Sequence, residues 1–134
     1  RCGWLDLPAL RYAVMVNGIT ELAMMKADVL SGMDKVRICT HYRVNGALVD
    51  RVPYDISSDV HPMYEDLAGW GPLHASHELP GSLRSYLARV EQATGVPVRI
   101  VSIGPDRTDQ GGKQVPMMPA GYPRQEDWVF LLSP

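Results

Sequence analysis

Cysteine is scarce: Cys2 and Cys39 stand alone, without C-x-x-C spacing. That excludes a disulfide framework and makes a reducing compartment, by default the cytoplasm, the expected address. Excess positive charge is missing too. Thirteen Lys and Arg face fifteen Asp and Glu, a formal charge of -2, so no basic field exists to condense on a phosphate backbone and nucleic acid is not an expected partner. Long apolar runs are absent, stretches such as Leu22 to Met25 being only a few residues, whereas a membrane-spanning helix needs about 20 residues. No membrane segment is expected. The opening Arg1-Cys2-Gly3-Trp4 lacks the apolar core and small-residue cleavage site of a signal peptide, and reads as cut from a longer protein.

What is present suits a folded domain. The chain has 134 residues, 46% apolar and 21% charged, enough to bury about two-thirds of its unfolded surface. Asp6 to Gly18 predicts a helix: Asp6 caps it, Pro8 suits the first turn, Leu10, Ala13, Val14 and Asn17 share a face, and Gly18 ends it. Glu21 to Ala27 reads as a strand covered on both faces that delivers Lys26 and Asp28 to its carboxyl end. Over Lys35 to Val44, Val36, Ile38, Thr40 and Tyr42 alternate with Arg37, Cys39, His41 and Arg43, the pattern of a half-buried strand. Asn45-Gly46 predicts a type I′ turn, with Ala47 to Val52 returning.

Pro53 to Pro80 reads as loops, with a short strand around Met63 to Leu67. Ser82 to Thr94 places Leu83, Tyr86, Leu87, Val90 and Ala93 on one helical face, with Gly95 as the stop. Val96 to Ile103 is a second buried-looking strand, running into Gly104-Pro105-Asp106. Strand, helix and strand recur, so the class is α/β. Residues 109–134, rich in Gly, Pro and Gln before an apolar end, read as a divergent, poorly ordered tail.

Two short segments can carry recognition chemistry. In Lys26-Ala27-Asp28, a carboxylate at a strand end can accept hydrogen bonds from both N1–H and the 2-amino group of guanine, a pair adenine does not offer. The lysine stem can cover the base. The bland reading is a solvated Lys-Asp pair. Ser102-Ile103-Gly104-Pro105-Asp106-Arg107 runs a strand into a glycine turn, where ligands settle in open α/β sheets; a plain Gly-Pro turn is the alternative. His74 and His77 lack the third ligand zinc wants, so exposed loop histidines are the better account. Cys39 is assigned no chemistry and reads as a small core or flank residue. No phosphate loop, G-x-S-x-G, H-E-x-x-H or G-x-G-x-x-G occurs.

Taken together, Arg1 to Asp6, Arg11-Tyr12-Ala13, Val16-Asn17-Gly18, Met25 to Leu30, Pro62 to Glu65, Gly69-Trp70 and Ser102 to Arg107 resemble the carboxyl-terminal third of the adenylosuccinate synthetase family. The resemblance spans residues 1–108, leaving 109–134 as the divergent tail. It implies the C-terminal part of a larger α/β sheet domain in a P-loop-NTPase-like enzyme family. The implied reaction joins inosine monophosphate (IMP) and L-aspartate into adenylosuccinate, with GTP and magnesium, in a homodimer. GTP phosphorylates the 6-oxygen of the nucleotide, and the amine of aspartate displaces the phosphate. By the same resemblance Lys26, Ala27, Asp28, Ser102, Ile103 and Gly104 bind GTP. The catalytic residues and the magnesium site belong to a portion preceding Arg1, so no catalytic or metal residue is expected here and the isolated chain is expected to be inactive. Met25 departs from the family, which more often has Thr. A stand-alone nucleotide-binding or assembly remnant is the alternative from a different class, and a metal hydrolase built on His74 and His77 stands a distant third.

Overall fold

Asp6 does what its position predicts: one carboxylate oxygen accepts the Ala9 amide at 2.9 Å, capping a helix that ends on left-handed Gly18. In a computed structural model, described over residues 3–55, 59–73, 78–103 and 128–131, this helix is α1, Leu7–Asn17. The elements follow as β1 (Leu5–Asp6), α1, β2 (Leu22–Met24), a 3-10 turn (Ala27–Leu30), β3 (Lys35–Val44), β4 (Ala47–Val49), β5 (Val60–Ala68), α2 (Gly81–Thr94), β6 (Val98–Ile103) and β7 (Trp128–Leu131). The α/β expectation holds.

They form two sheets. In the first, β5 runs antiparallel along the length of β3, while β1 (parallel) and β4 (antiparallel) share the other edge of β3. Asn45 and Gly46 both have positive φ, 49° and 81°, as the hairpin requires. The strict alternation expected of β3 fails midway. Its pairing with β5 slips between Cys39 and His41, leaving Thr40 as an extra residue. An inserted residue reverses the parity of everything beyond it, so Tyr42 shares a face with Cys39 rather than with Val36 and Ile38. There its hydroxyl donates to the Asp6 carboxylate.

Two sequence expectations are corrected. The strand around Met63 to Leu67 is nine residues long and fully paired, Val60–Ala68. Pro62 is tolerated because β5 is an edge strand within the described sheet. The strand drawn over Glu21 to Ala27 shrinks to Leu22–Met24, with Leu22 and Met24 half-buried and Ala23 exposed. Among the described residues it borders the second sheet, ordered β2-β6-β7, and the exposed Ala23 shows that one of its faces is open.

In that sheet β2 runs parallel to β6, pairing Leu22 with Val98 and Met24 with Val101. The apolar end of the chain supplies β7, antiparallel to β6; the remainder of the tail lies outside the described residues. A single core joins both sheets through α2: Val36 and Ile38 from β3, Val98 and Val101 from β6, and Leu83, Tyr86, Leu87 and Val90 from α2. The four α2 residues belong to the predicted apolar face, whose fifth member, Ala93, is partly buried against the core.

Candidate functional site

Parallel pairing sets the carboxyl ends of two strands at one edge. Because Met24 pairs with Val101, the chain leaving β2 at Lys26, Ala27 and Asp28 runs beside the last residues of β6, Ser102 and Ile103, and the 3-10 turn lies against β6. About seventy residues of sequence separation close into adjacency. The sequence-predicted segments are thus brought together at the level of the backbone; Gly104 lies outside the described residues.

Lys26 starts this edge in an unusual conformation. Its φ of 56° and ψ of 48° are left-handed, a region that costs a residue with a Cβ roughly 1–2 kcal/mol. Such strain persists where surrounding structure over-determines it, and it gathers at ligand clamps and active sites. The left-handed step turns the chain out of β2 and into the 3-10 turn, where the Lys26 carbonyl accepts from Val29 at 3.2 Å and the Asp28 carbonyl from Ser31 at 2.9 Å. The tripeptide then divides by depth. Ala27 is fully buried in the core, Lys26 is exposed and Asp28 is half-buried. The result is an ammonium and a carboxylate flanking an anchored alanine, at the carboxyl end of a parallel strand pair, the kind of place where α/β proteins bind ligands. Such a carboxylate is an acceptor only, able to take two donors side by side.

The turn is held by residues that sequence reasoning noticed only as part of a family pattern. Trp70, 2% exposed, donates from Nε1 to the Ala27 carbonyl at 3.0 Å. Its own carbonyl accepts from the Gly32 amide at 2.8 Å, and the Gly69 amide donates to Asp34 at 3.0 Å. A Cβ at Gly69 would fall 1.7 Å from the Met33 oxygen, so the segment after β5 approaches the segment before β3 this closely only because nothing is there. One signal was available: a tryptophan directly after an alternating strand must find an acceptor for its N–H when buried.

Of the remaining candidates, only those among the described residues can be placed. Cys39 is buried, its thiol donates to the His41 carbonyl at 3.4 Å, and its pKa is pushed up by desolvation and then by the nearby Asp6 carboxylate; a raised thiol is a poor nucleophile. Cys39 is therefore the buried packing residue expected. His41 is exposed, and His61, also exposed, lies 3.7 Å from Asp59. His74 and His77 fall outside the described residues. Among the described residues no three His, Cys, Asp or Glu side chains are grouped to hold a metal ion, and no helix is long and apolar enough to cross a membrane.

Comparison with known proteins bears on the whole arrangement. The family model described as adenylosuccinate synthetase matches residues 1–110. The adenylosuccinate synthetase of Cytophaga hutchinsonii is 48% identical over 115 residues, covering 81% of this chain and 27% of the relative. That of Parabacteroides distasonis is 46% identical over 111 residues, covering 80% of this chain and 26% of the relative. The solved structure of a fully ligated adenylosuccinate synthetase from Plasmodium falciparum superposes with a TM-score of 0.71 at 31% identity, over 80% of this chain and 28% of that one. The chain therefore spans about a quarter of the length of these relatives, at 26–28%. The α/β class agrees with the solved structure, and a P-loop-NTPase-like family is consistent with it. With the family model running through most of its residues, this chain belongs to the adenylosuccinate synthetase family.

Proposed function

We propose that this chain is the C-terminal, guanine-nucleotide-binding portion of an adenylosuccinate synthetase, a carbon-nitrogen ligase of purine biosynthesis. On this reading the whole enzyme joins IMP and L-aspartate in the cytoplasm as a homodimer, converting GTP to GDP and phosphate. Magnesium, the catalytic groups and most IMP contacts belong to the portion preceding Arg1. The present chain supplies specificity. Asp28 accepts from guanine N1–H and the 2-amino group, the Lys26 stem covers the base, and the Ser102 to Gly104 backbone closes its edge.

The observation that supports this reading most is the parallel pairing of β2 with β6, which directs the chain leaving β2 and the described end of β6 the same way. The left-handed Lys26 adds weight, since strain of this kind has to be maintained against relaxation. Each charge-assisted hydrogen bond contributes about 1.5–3 kcal/mol, so losing two corresponds to a discrimination of roughly a hundredfold or more. The test is Asp28→Asn in the full-length enzyme. Its amide presents a donor where guanine also donates, so the KM for GTP should rise and the preference for GTP over ATP should fall at least about tenfold. Unchanged GTP affinity and preference would refute the assignment.

A further inference from the structure

We infer that Trp70 is a positioning residue for guanine recognition: by fixing the peptide between Ala27 and Asp28 it sets the direction in which Asp28 presents its carboxylate. The inference rests on the guanine-binding reading above and deepens it.

Trp70 directs both of its polar handles at one loop. The indole N–H holds the Ala27 carbonyl at 3.0 Å, and the main-chain carbonyl holds the Gly32 amide at 2.8 Å. With Gly69 bonded to Asp34 at 3.0 Å, the segment from residue 27 to residue 34 is tied at three points to the end of β5. The Ala27 carbonyl belongs to the same rigid peptide plane as the Asp28 nitrogen, so the indole bond restrains the backbone from which Asp28 departs. On the other side, Lys26 sits in a left-handed well that the chain leaves unless held. Trp70 is itself immobilised: its ring meets Tyr86 of α2 edge-on, with centroids 5.4 Å apart and planes at 67°, and both rings are buried. A rigid helix thus braces a tryptophan, and the tryptophan braces the recognition turn. Two hydrogen bonds accepted side by side from one base edge demand this kind of orientation, because binding groups need support from neighbours that cannot move.

The experiment uses the full-length enzyme and compares GTP with inosine triphosphate, which lacks the 2-amino group. Trp70→Phe keeps a ring in the core and removes the N–H. It should raise the KM for GTP about threefold to tenfold, the equivalent of one hydrogen bond. The GTP-over-inosine-triphosphate preference should fall by a similar factor, while kcat at saturating GTP and the KM values for IMP and aspartate stay within about twofold. In an Asp28→Asn background the same substitution should add little, because both act through one carboxylate. Tyr86→Leu, which loosens the seat of the indole but spares its N–H, should move the preference in the same direction by less; it carries the comparison if Trp70→Phe does not accumulate as folded protein. A variant with a lowered melting temperature but unaltered GTP KM and nucleotide preference would overturn the inference, as would all three KM values rising together. If Asp28→Asn changes the nucleotide preference and Trp70→Phe does not, only the positioning role fails; if Asp28→Asn changes nothing, the guanine-binding reading fails with it.

Discussion

Lys26 illustrates how a single residue can be kept in place against its own preference. Glycine adopts a left-handed conformation without steric cost, so Lys26→Gly should leave stability unchanged or raise it by up to about 1 kcal/mol. If the proposed guanine-binding role holds, the same change also removes the stem proposed to cover the base and should weaken GTP binding; thermal denaturation read beside the KM for GTP separates the effects. Tyr86 makes a second prediction. Burial raises its phenol from 10.0 to about 12, because the ionised form is poorly solvated there. The folded state therefore keeps this proton when the unfolded state has lost it. The contribution is complete below about pH 10 and declines as pH rises toward about 12. Denaturant titrations across that interval should show stability falling with pH, and Tyr86→Phe should flatten the fall. Residue by residue, caps and turns were legible because they depend on local chemistry: Asp6, Gly18, Asn45, Gly46 and Gly95 all stand in the predicted conformations. The strain at Lys26 was not, since nothing in a lysine announces positive φ.

Among the elements, α2 was read nearly to the residue. Its periodicity is strong, and Leu83, Tyr86, Leu87 and Val90 are all buried. The β3–β5 pair was read less well. Proline and histidine in Val60–Ala68 made it look like loop, and its stability comes from a ten-residue partner far earlier in the chain rather than from propensity. The Thr40 bulge was invisible for the same reason, because a register slip belongs to two strands at once. The candidate site was half legible: the two segments could be placed at strand ends from local pattern, but the parallel pairing of β2 with β6 and the tryptophan behind the Ala27 turn are tertiary facts. At this scale one side chain links α2 to β6. The Glu91 carboxylate accepts the Val98 amide at 2.7 Å where strand pairing begins. Glu91→Ala should cost about 1–2 kcal/mol, and Glu91→Gln, which retains an acceptor, should recover most of it; equilibrium unfolding of the variants checks this.

At the level of the whole molecule, one core is shared by the two sheets, which among the described residues do not pair with each other. The outer side of α1 is the contrast: Tyr12, Met15 and Val16 are 57%, 70% and 59% exposed. An apolar cluster of this kind marks a surface prone to association. Light scattering of the 134-residue chain should show concentration-dependent association, reduced by replacing Met15 with Glu and Val16 with Lys; an unchanged particle size would argue against that face.

The union of β2 with β6 also has a temporal consequence. Leu22–Met24 has no sheet neighbour among the described residues other than Val98–Ile103, so the chain must emerge from the ribosome past Val98 before the two can zip together, and closing so wide a loop is entropically slow. Until then the Lys26 to Asp28 tripeptide has no rim to stand on. On the proposed reading, a nascent chain arrested short of Val98 should therefore be blind to nucleotide, however well its first helix and hairpin have formed.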